Sequence, residues 1–268
     1  MEYLQLIILG AIQAITEFLP ISSDGHLLVG AALLRQFGGK QVSTGDLVVN
    51  IFLHFGTLLA ILWVYWTKLW RLLGTDRRVI GLLVAGTLPA VVIALPIEEL
   101  CPDILESVLV AGLMLPVTGA VVLWGMRIPP GTQDYTQLTY FQAVTIGVAQ
   151  AVAILPGISR SGMTIVSCLA LGLSRESAAT FSFLLAVPAV AGAQVLAIIK
   201  LLKHPEADLA VGPLLAGVLV SFVGGVICLR LLQRWLNAGR LWPFGYWCIA
   251  LGAVVVAWQL GWFGGTPS

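Results

Sequence analysis

The chain has 268 residues, of which 59% are hydrophobic and only 10% charged, with a mean hydropathy of +0.97. Soluble domains carry about 25% charged residues, so this composition excludes an ordinary soluble globule and predicts an integral membrane protein. A formal net charge of +1, with no basic run, argues against nucleic acid as a partner.

The amino terminus, Met-Glu-Tyr, lacks a basic segment and a small-residue cleavage site, so it is expected to be retained. Residues 1–36 are apolar but short for two full crossings, which need about 20 residues each. Pro20 and the run Ser22-Ser23-Asp24-Gly25 interrupt this stretch in its middle, which predicts a re-entrant hairpin of two half-helices. Three ordinary spans follow near 46–67, 79–97 and 105–127, separated by Lys68 to Arg78 and by the acidic turn Glu98 to Glu106. After the stop Arg127-Ile-Pro-Pro-Gly, a second broken stretch covers about 138–173, interrupted at Leu155-Pro156-Gly157-Ile158-Ser159-Arg160-Ser161-Gly162. Spans near 177–201, 209–234 and 242–263 complete the chain. Cys101, Cys168, Cys228 and Cys248 stand singly, without metal-ligand spacing, and read as apolar packing residues. Trp63, Trp66, Trp70, Trp235, Trp242 and Trp262 lie near span ends, where interface anchoring explains them.

The two halves align at an offset of 137, which pairs Gly10 with Gly147, Gln13 with Gln150, Ser22 with Ser159 and Gly25 with Gly162. The later spans fall at nearly the same offset, so the chain reads as an internal duplication. A re-entrant hairpin adds no net crossing, so each half crosses three times and the second half is inverted relative to the first. The predicted fold is therefore an all-α integral membrane protein, one membrane domain over residues 1–268. Repeat 1 covers about 1–130 and repeat 2 about 138–268, each a re-entrant helical hairpin plus three transmembrane helices. One set of loops collects Lys68, Arg71, Arg77, Arg78, Arg127, Arg175, Arg230, Arg234 and Arg240. The positive-inside rule puts that side in the cytoplasm and both termini outside.

The two broken islands carry the chemistry. Between Tyr3 and Leu34 the only formal charges are Glu17 and Asp24, and between Tyr135 and Ser174 the only one is Arg160. A charge near the bilayer centre costs at least about 2.5–3.5 kcal/mol, which makes function the default explanation. The structural alternative is that Glu17 or Asp24 simply pairs with Arg160 across the two tips. Gln13 and Glu17, four apart, share a helix face, as a hydrogen-bonded pair or as oxygen ligands for a hard divalent cation, Mg²⁺ or Ca²⁺. Ser22 and Ser159 each precede a new apolar run and suit N-caps. Their helix amino termini, converging with Arg160, would hold a diphosphate. His26, three residues after Ser23, is a candidate general acid or base. Asp46, Asn50 and His54 form a polar stripe at i, i+4 and i+8, expected to line a cavity or support the site.

Gln13-x-x-x-Glu17, the run Phe18-Leu19-Pro20-Ile21-Ser22-Ser23-Asp24-Gly25-His26-Leu27, and the second island together resemble the undecaprenyl-pyrophosphate phosphatase family, the bacitracin-resistance type of membrane enzyme. Leu53-His54-Phe55-Gly56-Thr57 resembles that family's next helix, and the likeness covers essentially the whole chain. The resemblance implies removal of the terminal phosphate from undecaprenyl diphosphate, which recycles the cell-wall lipid carrier in a bacterial inner membrane. It implies Gln13 and Glu17 at a divalent metal, Arg160 on the diphosphate, Ser23 as nucleophile and His26 as its proton-transfer partner. Ser22, Gly157, Ser159, Ser161 and Gly162 would join Arg160 in binding substrate, with Asp24, Asp46, Asn50, His54 and Gln150 in support. Gln13 stands where many members have Glu, and Asp24 where a small hydroxyl residue is common. The expected partners are the lipid substrate and membrane lipid, with a homodimer allowed. A flippase of polyprenyl phosphate, built on the same inverted scaffold, is the competing reading.

Overall fold

The computed structural model describes residues 2–36, 47–203 and 211–262. The described residues are almost entirely helical, and their strand-like pairing is confined to one isolated bridge between Gln133 and Leu173. The first broken stretch forms α1 (Glu2–Phe18) and α2 (Ser23–Gln36). Then come α3 (Leu47–Val64), α4 (Trp66–Leu73), α5 (Arg77–Leu100), a single turn α6 (Pro102–Leu105) and α7 (Val108–Arg127). The second broken stretch forms α8 (Tyr140–Val152) and α9 (Arg160–Ala170), followed by α10 (Arg175–Lys203), α11 (Val211–Asn237) and α12 (Trp242–Gln259).

Length separates two kinds of helix. Among the described residues five helices, α5, α7, α10, α11 and α12, are long and apolar enough to cross a membrane, and α3 with α4 would make a sixth if the bent pair is one span. At about 1.5 Å per residue, the 17, 14, 13 and 11 residues of α1, α2, α8 and α9 reach only ~26, ~21, ~20 and ~17 Å, less than the ~30 Å hydrocarbon core. The span expected near 46–67 ends earlier, because the chain bends by 73° at Tyr65 between α3 and α4. Trp66, Trp70 and Leu73 of α4 are exposed while Leu72 is buried, so α4 is a two-faced helix turned 73° from α3.

Packing crosses between the halves. α1 lies against α11 and α8 against α5, so the first helix of each half leans on the other half; α7 pairs with α12. Small residues let the backbones close up, as van der Waals packing in lipid requires. A Cβ on Gly10 would stand 2.7 Å from the Gly217 carbonyl oxygen, and one on Gly147 would overlap the Gly86 carbonyl. The core gathers around Phe18, Phe181, Phe183, Leu184 and Leu185, all fully buried, where α1 meets α10.

Candidate active site

α1 presents Gln13 and Glu17 on one face and ends at Phe18, just before Pro20. Ser22 then takes a left-handed φ of 71°, which costs a non-glycine residue roughly 1–2 kcal/mol. Its Oγ accepts from the Gly25 backbone N–H at 3.3 Å, capping the start of α2. The second tip repeats the device: Ser159 Oγ accepts from the Gly162 N–H at 3.2 Å and caps α9.

The tips meet backbone to backbone. A Cβ on Gly25 would stand 3.0 Å from the Gly157 Cα. Gly157 has a φ of 92° and abuts the Ala111 carbonyl, so no side chain fits there. Ser161 Oγ donates to the Leu19 carbonyl at 3.3 Å and lies 3.2 Å from Ser159 Oγ. α7 grips the second tip through buried Thr118, which donates to the Gly157 carbonyl (2.7 Å) and accepts from the Ser159 N–H (2.9 Å). α12 grips the first, with Cys248 Sγ 3.8 Å from the Pro20 carbonyl.

Glu17, only 8% exposed, collects the polar contacts. Arg160 Nη2 donates to its Oε1 at 2.5 Å, while Ser23 Oγ (2.9 Å) and Gln13 Nε2 (3.2 Å) donate to its Oε2. His54 Nε2 stands 3.7 Å from the same Oε2, its Nδ1 held 3.0 Å from the Asn50 carbonyl. A buried carboxylate needs its lone pairs satisfied and its charge balanced, and these donors do both.

A cavity of about 790 Å³ opens from this cluster. Glu17, Ser22, Ser23, Asp24, Ser159 and Arg160 line one end, joined by Asn50 and His54 of α3 and by Gln150 of α8. Alanine, valine and leucine side chains of α5 and α10, among them Ala90, Ala94, Val190 and Leu196, line the other. A charged end and an apolar arm are what an amphiphile with an ionic head needs.

Residues expected at the site separate into groups. Gly157, Ser161 and Gly162 do not line the cavity; the close approach of the tips and the α9 cap consume their backbone and hydroxyl groups. His26 is turned away from the cluster, its Nδ1 2.7 Å from the Ser22 carbonyl and its Nε2 accepting from Trp247 Nε1 at 2.9 Å. Asp24 is exposed into the cavity, and the carboxylate bonded to Arg160 is that of Glu17. Asp46 lies outside the described residues. Thr118 and Trp247 escaped the sequence reading: a threonine inside an apolar span and a tryptophan one turn into α12 carry no local mark of their partners.

Gln13 Oε1 and both amide atoms of Gln150 are buried without a protein partner. Among the described residues no three His, Cys, Asp or Glu side chains gather as a metal site. An orphaned amide oxygen one turn before a carboxylate offers part of a hard-cation shell, and phosphate oxygens would have to complete it.

The chain matches the family model described as bacitracin resistance protein BacA over residues 6–254. It is 46% identical over 260 residues to the undecaprenyl-diphosphatase of Rhodopirellula baltica, an alignment covering 97% of this chain and 99% of that one. The undecaprenyl-diphosphatase of Methanosphaera stadtmanae is 35% identical over 96% of this chain and 98% of its own length. Undecaprenyl-diphosphatase 3 of Bacillus cereus is 36% identical, with 97% and 98% covered.

Proposed function

The chain belongs to the bacitracin resistance protein BacA family, and on that premise we propose that it hydrolyses undecaprenyl diphosphate to undecaprenyl phosphate and inorganic phosphate. The observation that carries this reading is the cluster of buried Glu17 with half-buried Arg160 and Ser23, opening into a cavity with an apolar arm. Relatives named for the phosphatase reaction favour hydrolysis over the flippase reading of the same scaffold.

Ser23 is the nucleophile and Glu17 its base. In the free protein Arg160 and Glu17 neutralise each other. The incoming diphosphate draws the guanidinium onto its oxygens, a bidentate match, and leaves Glu17 free to act. Ser23 Oγ bonds to the terminal phosphorus as its proton passes to Glu17. The bond from that phosphorus to the bridging oxygen breaks, and the electron pair leaves on undecaprenyl phosphate. Water then bonds to that phosphorus as its bond to Ser23 Oγ breaks. The serine oxygen takes back the proton held by Glu17, and the phosphate leaves carrying the water's oxygen and hydrogens. Arg160 and the α2 and α9 amino termini supply the fixed positive charge that phosphoryl transfer needs. Glu17 and Gln13 would hold a divalent cation together with diphosphate oxygens, and its charge would help neutralise the leaving group.

The swapped packing of α1 on α11 and α8 on α5 supports an inverted repeat. Loop charge supports an orientation with both termini outside, and membership of the family supports a bacterial inner membrane.

Phosphate release by the purified protein in detergent tests the reading. Glu17→Ala and Arg160→Ala each lower turnover by about 10³-fold or more, and a chelator suppresses the parent. Near-normal release by either variant would overturn the site.

A further inference from the structure

His26 is the residue whose surroundings disagree most with the role its position suggests. It sits on the first turn of α2, one helical turn from Ser23, yet both ring nitrogens are engaged elsewhere. An indole N–H is only a donor and a carbonyl oxygen only an acceptor. Trp247 Nε1–H therefore requires a bare lone pair on His26 Nε2, and the Ser22 carbonyl requires the proton on Nδ1. The ring is thereby fixed as the neutral Nδ1–H tautomer. Its plane lies 16° from that of the indole with centroids 6.2 Å apart, the geometry of two rings joined edge to edge by a hydrogen bond. Trp247 is 52% exposed on α12, so its N–H is not held by burial and His26 Nε2 is the partner the structure gives it.

We propose that Trp247 and His26 form a latch on the first tip, and that His26 is a positioning residue for Ser23, not a proton carrier of the reaction. The proposal rests on Ser23 being the nucleophile. Ser22 is the residue held at a φ of 71°, and the turn it makes brings the next side chain, Ser23 Oγ, to 2.9 Å from Glu17. The Ser22 carbonyl is fixed by two donors of His26, the ring Nδ1–H at 2.7 Å and the backbone N–H at 3.3 Å. The neighbour of Trp247, Cys248, reaches the two preceding carbonyls, Pro20 at 3.8 Å and Ile21 at 3.9 Å. Three consecutive carbonyls of the tip are thus tied, directly or through His26, to one turn of α12. Moving a proton onto Nε2 would set two N–H groups against each other and open the latch, so while the latch is closed the ring takes no part in proton transfer.

Two measurements on the full chain in detergent test this. Asn at position 26 keeps an N–H donor where Nδ1 stands but has no titrating group. His26→Asn therefore keeps kcat within about tenfold of the parent, with an unchanged pH profile of kcat/KM, while His26→Ala falls further. Trp247→Phe, which keeps the ring and loses the donor, lowers kcat about fivefold at unchanged KM. Loss of a proton carrier costs about 10²–10⁴-fold, so a His26→Asn variant as inactive as His26→Ala, beside Trp247→Phe at the parental rate, would overturn the latch. The second measurement needs no turnover: ¹⁵N resonances of ring-labelled His26 show the Nδ1–H tautomer in the parent, and an Nε2–H tautomer would overturn the proposal. If the parent released no phosphate, the phosphatase reading would fail while this measurement still judged the latch.

Discussion

Thr118 shows how much of the site hangs on single hydroxyl groups. It donates to one backbone group of the second tip and accepts from another, 2% exposed. Thr118→Val keeps the shape and removes both bonds, leaving a buried N–H and C=O unpaired at about 1–3 kcal/mol each. The expected result is a drop of several degrees in the melting temperature in detergent, and a larger proportional loss of turnover, since Arg160 follows this tip directly. An unchanged melting temperature would show that the tip holds itself. That Arg160 could pair with a carboxylate of the first tip was legible in the sequence, because lone charges in apolar stretches have few ways to be satisfied; that it is Glu17 and not Asp24 was not. The orientation of His26 was not: it depends on Trp247, 221 residues away, and on a side-chain rotation that spacing does not specify.

At the scale of elements, the helix breaks and most span ends were legible, because proline, glycine and N-cap serines act locally. The bend at Tyr65 was not, since no proline or glycine marks it. The connection before α8 shows a local device that tolerates acid poorly. Asp134 accepts from the Thr136 N–H (2.9 Å), Thr136 Oγ1 (2.7 Å) and Ser177 Oγ (3.1 Å). Burial pushes its carboxyl pKa up, but these hydrogen bonds and the Lys68 charge outweigh that and hold it below the usual carboxylate value. A pKa lowered by folding stabilises the fold above the unfolded value of about 3.9, and that contribution fades as pH falls through the folded value. Asp134→Ala should lower stability at pH 7 by the worth of a cap, about 1 kcal/mol, read as a lower melting temperature. The gap to the parent should narrow below pH ~4; a gap independent of pH would mean that the aspartate acts by packing alone.

For the whole molecule, the cavity joins a charged end to an apolar arm, and the arm sets what tail can follow the head. Ala94 of α5 lines it. Ala94→Trp should raise KM for the C55 substrate at least tenfold while leaving a short-chain diphosphate nearly unaffected, as measured by phosphate release from each. Equal losses on both would place the tail elsewhere. The exchange of partners between the halves bears on assembly during synthesis. α1 is finished at residue 18, but the helix it rests on, α11, begins at residue 211. At ~5–20 residues per second the ribosome takes on the order of 10–40 s to make the intervening chain. Throughout that interval the amino-terminal helix, with Glu17 on it and Arg160 unmade for most of the time, waits in the bilayer or translocation channel without its permanent neighbour. The centre is therefore completed late in synthesis, and a protein cut between the halves could form it only if both pieces met in one membrane.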